Sequence, residues 1–116
     1  MTFEQLKRKI NTAGAGFVGM FMHEFLAKYP EYSSDSTNKA IFIRHIHEEY
    51  GENMGWTYDS TKTKCYALIS IIENRRVLDA LEHVVNCNEK KISPPTAIDN
   101  AMECIDMLAK GKLVLP

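Results

Sequence analysis

Arg76 and His83 stand seven residues apart, a spacing that on a helix brings both side chains to one face, two turns from each other. There a guanidinium can hold a phosphate while an imidazole moves a proton, which is the chemistry of RNA cleavage. His45 and Glu49, at i and i+4 and crowded by His47 and Glu48, could offer two metal ligands from one helix, with His23 from another segment as a third. Lys62, Lys64, Arg75, Arg76, Lys90 and Lys91 fall in one stretch, 62–91, that includes the N-termini of two expected helices. Cations beside free helix amides suit a phosphate backbone, so this stretch is the candidate surface for nucleic acid. The run Gly14-Ala15-Gly16-Phe17-Val18-Gly19 spells GxGxxG, a spacing that lets a backbone turn approach a pyrophosphate. At the far end Leu113, Val114 and Leu115 are apolar enough to insert into a partner's groove or to extend a partner's sheet.

Two of these patterns resemble known families. Arg76 with His83 is similar to the Rx4-6H signature of HEPN-type ribonucleases, which are also all-α; the resemblance covers eight residues. It implies a phosphate-holding role for Arg76 and proton transfer by His83. The glycine run, taken with Tyr58-Asp59-Ser60-Thr61-Lys62 as YxxxK, resembles pieces of a short-chain dehydrogenase, and that likeness implies a dinucleotide. The surrounding sequence argues against it. The segment Leu6-Lys7-Arg8-Lys9-Ile10-Asn11 is charged and helix-patterned where an apolar strand is required, and no second strand ending in an acidic residue follows. The tyrosine and lysine also come too soon after the glycines, and 116 residues cannot make that family's sheet. No cofactor is expected, and the glycines read as places where helices turn and approach closely.

The other constellations have structural readings of their own. Arg75, Arg76, Asp79, Glu82, His83 and Asn86 together make one polar helix face opposite Leu81 and Val85, which solvation alone explains. Neither HExxH nor the ExxH pairs of di-iron bundles occurs, so the crowd around His45 reads as an exposed face and no metal centre is expected. The basic stretch has internal partners at hand in Glu48, Glu49 and Glu52. Cys65, at the start of an apolar stripe, reads as a small core residue.

The elements that must position these residues are helices. Thr2 and Gln5 form a capping box, and Phe3, Leu6 and Ile10 follow at helical spacing, which predicts a first helix over Phe3 to Thr12. Val18, Phe21, Met22, Phe25, Leu26 and Tyr29 mark a second, ended by Pro30. The segment PEYSSDST is loop chemistry, and a third helix is expected from Asn38 to Tyr50, stopped near Gly51. Gly51 to Ser60 should cross the surface with Trp56 and Tyr58 turned inward, and Asp59 or Ser60 should cap helix four. Cys65, Leu68, Ile69 and Ile72 lie on one stripe, but Val77, Leu78, Leu81, Val84 and Val85 would fall on nearly the opposite face of a straight continuation. That mismatch predicts a break near Asn74, with a single long helix sandwiched between two layers as the competing account. Ser93-Pro94-Pro95 should start the last helix, with Ile98, Ala101, Met102, Ile105, Leu108 and Ala109 as its buried stripe and Gly111 as its cap.

The expected architecture is therefore a single-domain, all-α, compact bundle of five or six short helices over 1–116, with a short apolar tail at 112–116. Lys plus Arg number 14 and Asp plus Glu 15. That near-balance removes any global field toward phosphate or acidic membranes, so nucleic acid would need a local patch. Three cysteines with no CxxC pair read as reduced thiols, and the absence of a long apolar stretch argues against a membrane span; a cytoplasmic setting is expected. With no complete catalytic constellation, the sequence points to a non-enzymatic binding or regulatory protein whose partner is another protein or a second copy of itself, engaged through Leu113, Val114 and Leu115. A nucleic-acid-binding or RNA-cleaving module using 62–91 is the alternative.

Overall fold

Helix-forming signals and helix stops alternate along this chain at short intervals, and the structure, a computed structural model, follows them closely. It describes residues 1–87 and 91–116. Among these, six α-helices form and no strand does: α1 Phe3–Ala13, α2 Ala15–Tyr32, α3 Ser36–Ile46, α4 Tyr58–Glu73, α5 Val77–Val85 and α6 Thr96–Ala109. A π turn over His47–Gly51 extends α3. The all-α bundle is thus as expected, and it packs into one body of 34 × 31 × 26 Å.

The capping box at Thr2 is present in both directions, with the Gln5 amide donating to the Thr2 hydroxyl and the Thr2 amide to the Gln5 side chain. α1 stops at Gly14, which takes φ 92° and starts α2 with no intervening residue. Such a conformation is open to glycine at little cost. α2 runs through the centre of the bundle and packs on every other helix. Gly16 and Gly19 lie inside it, against the backbone carbonyls of Ser93 and Ala97, where a β-carbon would not fit. The GxGxxG run is therefore a helix turn followed by a close helix-to-backbone approach, as the packing interpretation of the sequence requires.

α2 does not end at Pro30. The proline sits in its last turn, and the helix continues to Tyr32, which is 1% exposed. The Tyr32 hydroxyl donates to the Phe25 carbonyl at 2.9 Å, and its ring stacks on Phe42 with centroids 4.9 Å apart. Burying this aromatic outweighs the one backbone bond that proline forgoes near a helix end. α3 begins two residues earlier than expected because Asp35 caps it, accepting from the Thr37 and Asn38 amides. α4 is capped by Thr57, not by Asp59 or Ser60; the Thr57 hydroxyl accepts from the Ser60 amide. Trp56 is half-buried, packed against Phe17 and Tyr50, and Tyr58 is half-buried beside His47.

The break near Asn74 is present. Arg75 adopts φ 59°, its amide donates to the Ile72 carbonyl, and the Arg76 amide donates to Ile71. This paired pattern closes the end of α4 and turns the chain so that Val77, Ala80, Leu81 and Val84 face the core. The same pattern recurs after α6, where Gly111 takes φ 73° and the Gly111 and Lys112 amides return to Leu108 and Met107. The buried stripe of α6 is rotated from the expected one. Ala97, Ile98, Ala101 and Cys104 are buried, Ile105 and Leu108 are half-buried, and Met102 and Ala109 are exposed. The small side chains of α6 face α2 because the glycines there bring the two backbones together, which turns Met102 outward.

Candidate functional site

Arg76 precedes the first turn of α5 and His83 closes its last turn. Seven residues at helical rise separate them by about 10 Å along the axis. The Arg76 guanidinium is paired with the Asp79 carboxylate through Nη1, and its Nε is buried without a hydrogen-bond partner. His83 is half-buried, and its carbonyl accepts from the Cys87 thiol at 3.2 Å. The clefts that flank α5 are lined by Val77, Leu78, Asp79 and Glu82, not by Arg76 or His83. Of the two residues suggested by the ribonuclease resemblance, His83 is in α5 and Arg76 caps its start, and the arginine is committed to a neighbouring carboxylate.

The basic stretch is divided between the two ends of α4. Lys62 and Lys64 lie in its first turns, and Arg75 and Arg76 follow its last. Thirteen residues of helix place Lys62 and Arg75 about 20 Å apart. Lys62 pairs with Asp59 at 3.7 Å and lies over the Tyr58 ring. Lys64 stacks over Trp56, with its nitrogen 4.6 Å from the ring centre, and donates to the Ala13 carbonyl at the C-terminal end of α1. Lys91 is exposed, and Lys90 lies outside the described residues. The described cations thus serve separate helix ends and do not line one groove. Their ion-pair partners among the described residues are Asp59 and Asp79, in place of the expected Glu48, Glu49 and Glu52.

The apolar tail folds back. Leu113 is 9% exposed and packs with the core, and its outer edge lines two of the clefts beside Val114 and Leu115. The bend at Gly111 directs the chain across the bundle, which tucks Leu113 inward and leaves Val114 at 77% and Leu115 at 44% exposure. Leu78, on the outer side of α5, is 43% exposed. A cleft of about 490 Å³ lies between Leu78, Val77, Ile72 and the end of the tail. A second, of about 600 Å³, lies between Leu78, Ile105, Leu108 and Val114. A third, of about 370 Å³, separates the other side of the tail from Leu26, Tyr29 and Pro30. Arg75, Lys112, Asp79 and Glu82 rim these clefts with both signs of charge.

His45 and Glu49 come together as their spacing expects, with His45 Nε2 at 3.2 Å from Glu49 Oε2. The third group beside them is Glu24 of α2, and the ligand atoms of all three lie within 4.8 Å of one another. His23, the third residue suggested from the sequence, instead borders a small cleft with Asn100, Glu103 and Cys104. Sequence reasoning missed Glu24 because its approach to His45 depends on how α2 packs on α3. Its only sequence signal is its position beside the apolar stripe of α2.

One polar side chain is fully buried among the described residues: Thr61, whose hydroxyl meets His47 Nδ1 at 2.7 Å. Gly51 makes room for this pair, since a β-carbon there would collide with both partners. Cys65 and Cys104 are also buried, and desolvation pushes their thiols up to about 12 and about 11. Thiols so held are protonated at neutral pH, which agrees with a core role for Cys65. Among the described residues no helix is long and apolar enough to cross a membrane. Comparison with protein families, with curated proteins and with solved structures finds no match to this chain.

Proposed function

We propose that this chain is a non-enzymatic binding protein that works through protein–protein contact, and that its contact surface is the face where the C-terminal segment crosses α5 and α6. The observation that carries this reading is the exposure of Leu78, Val114 and Leu115 around adjoining apolar clefts. Apolar side chains gathered around clefts on a small domain mark interaction sites more often than scattered exposed ones do. The reading keeps Val114 and Leu115 as exposed partner-binding residues, sets Leu113 at the inner wall of the same clefts and adds Leu78.

A second copy of the chain is the occupant that this face suits best. A two-fold interface brings the same patch to both sides and must complement itself. Here an apolar centre is rimmed by Arg75 and Lys112 together with Asp79 and Glu82, so each copy offers both signs to the other.

The test is the mass of the protein in solution at high micromolar concentration, measured by light scattering for the wild type and for Leu78→Asp and Leu115→Asp. A dimer that either substitution dissociates, with helical content unchanged, supports the reading. A wild type that stays monomeric overturns self-association. A dimer indifferent to both substitutions moves the interface elsewhere.

A further inference from the structure

Glu24 stands near the middle of α2, while His45 is in the last turn of α3 and Glu49 is in the π turn that continues it. Two aromatic contacts lock these elements together on either side of the three residues. Phe25 meets Phe42 edge-on with centroids 4.8 Å apart, and Phe21 meets Tyr50 in the same way at 4.8 Å. Phe21 and Phe25 flank Glu24 on its own helix; Phe42 and Tyr50 lie just before His45 and just after Glu49. The π turn is itself pinned by the part-buried His47–Thr61 bond beside Gly51. The backbones carrying the three groups are therefore fixed by core packing, and only the ends of the side chains remain free to adjust.

Two carboxylates held this close repel each other unless something positive lies between them. Among the described residues neither Glu24 nor Glu49 forms an ion pair with a lysine or arginine; the contact of Glu49 is with the His45 ring. We infer that Glu24, His45 and Glu49 are a binding site for a divalent first-row transition ion of the zinc class. The donor set selects the ion. An imidazole nitrogen with two carboxylate oxygens suits zinc, cobalt or nickel, whereas calcium and magnesium prefer all-oxygen shells.

The geometry is close to what such an ion demands. Ligand bonds of about 2.0–2.1 Å at tetrahedral angles put ligand atoms roughly 3.3 Å apart. His45 and Glu49 already meet that spacing at 3.2 Å. The Glu24 carboxylate lies within 4.8 Å of the other two ligand atoms, so it must close by up to about 1.5 Å through a change of side-chain rotamer. Binding exchanges the His45–Glu49 hydrogen bond for two metal–ligand bonds, with the metal on Nε2 of a neutral imidazole whose one ring proton sits on Nδ1. Three protein ligands leave the remaining coordination positions to water. His45 also lines the cleft of about 450 Å³ formed with Lys28, Asn38 and Ile41, so a bound ion borders that cleft.

The experiment is a calorimetric titration of the full chain with Zn2+, with Mg2+ as the hard-ion control and with Co2+ to report the ligands through its visible absorption. Saturation by a single Zn2+ is expected, with a rise in thermal midpoint that Mg2+ does not produce. His45→Ala and Glu24→Gln should each weaken Zn2+ at least tenfold, with helical content unchanged because both groups lie outside the core. His23→Ala and Glu48→Gln should leave affinity unchanged. Absence of Zn2+ binding by the wild type overturns the proposal. Binding that survives both His45→Ala and Glu24→Gln, or that Mg2+ matches, overturns it equally by moving the ion to another place or reducing the cluster to simple acidity.

Discussion

Gly19 lies directly against the carbonyl of Ala97: a β-carbon at this position would overlap that oxygen and come 3.0 Å from a methyl of Val84. Gly16 stands in the same relation to the Ser93 carbonyl, one turn earlier on α2. Backbone cannot yield as a flexible side chain does, so Gly19→Ala and Gly16→Ala should each cost about 1–3 kcal/mol or more, the range of overpacked cores. Urea denaturation of the two variants checks this. A loss of less than about 0.5 kcal/mol, the range of an unremarkable surface change, would mean that the close approach is not required.

The Thr61 hydroxyl is fully buried and has the half-buried His47 ring as its partner. Thr61→Val keeps the shape but leaves the imidazole nitrogen facing a methyl. The expected cost is about 1–3 kcal/mol, the penalty of an unpaired buried polar group. A loss of protection at the amides of the π turn in hydrogen exchange should accompany it, because this bond pins that turn.

Arg75 holds a left-handed conformation at the end of α4 with φ 59°. Glycine takes that conformation without the β-carbon penalty, so Arg75→Gly should raise stability by about 0.5–1 kcal/mol. Arg75→Ala, which keeps the β-carbon, should bring no such gain. Thermal unfolding of the pair separates the backbone effect from the loss of charge.

Burial raises the thiols of Cys65 and Cys104 from 9.0 to about 12 and about 11. An unfolded chain releases these protons as pH passes 9, whereas the folded chain keeps them, so stability should fall between pH 9 and the folded values. It should be constant below that window as far as these groups are concerned. Each thiol contributes a slope of about 1.4 kcal/mol per pH unit within it. Cys65→Ala should flatten the alkaline limb of a stability-against-pH curve. Alkylation of the native protein at pH 8 should mark the half-buried Cys87 and spare the other two until the protein unfolds.

Leu113 and Val114 are neighbours with opposite environments, at 9% and 77% exposure. Leu113→Ala should destabilise the bundle by about 2–3 kcal/mol, the low end of core truncations. Val114→Asp should change stability by less than about 0.5 kcal/mol, as exposed substitutions do, and should act on association alone. Chemical denaturation alongside solution mass distinguishes the two outcomes.

Local chemistry determined most of the architecture. The Thr2–Gln5 capping box, the stop at Gly111 and the break at Asn74 are legible because each depends on residues within one or two turns of helix, where propensity, capping and apolar period act directly. The same locality brought His45 to Glu49. Tertiary structure decided the rest. Whether α2 stops at Pro30 depends on Phe42 being present to receive Tyr32, and which face of α6 is buried depends on the depth of the groove at Gly16 and Gly19. The separation of Lys62 from Arg75, the burial of Leu113 and the arrival of Glu24 beside His45 all follow from how helices distant in sequence pack together. Side-chain volume and aromatic contacts set those distances, and no spacing along a single segment encodes them.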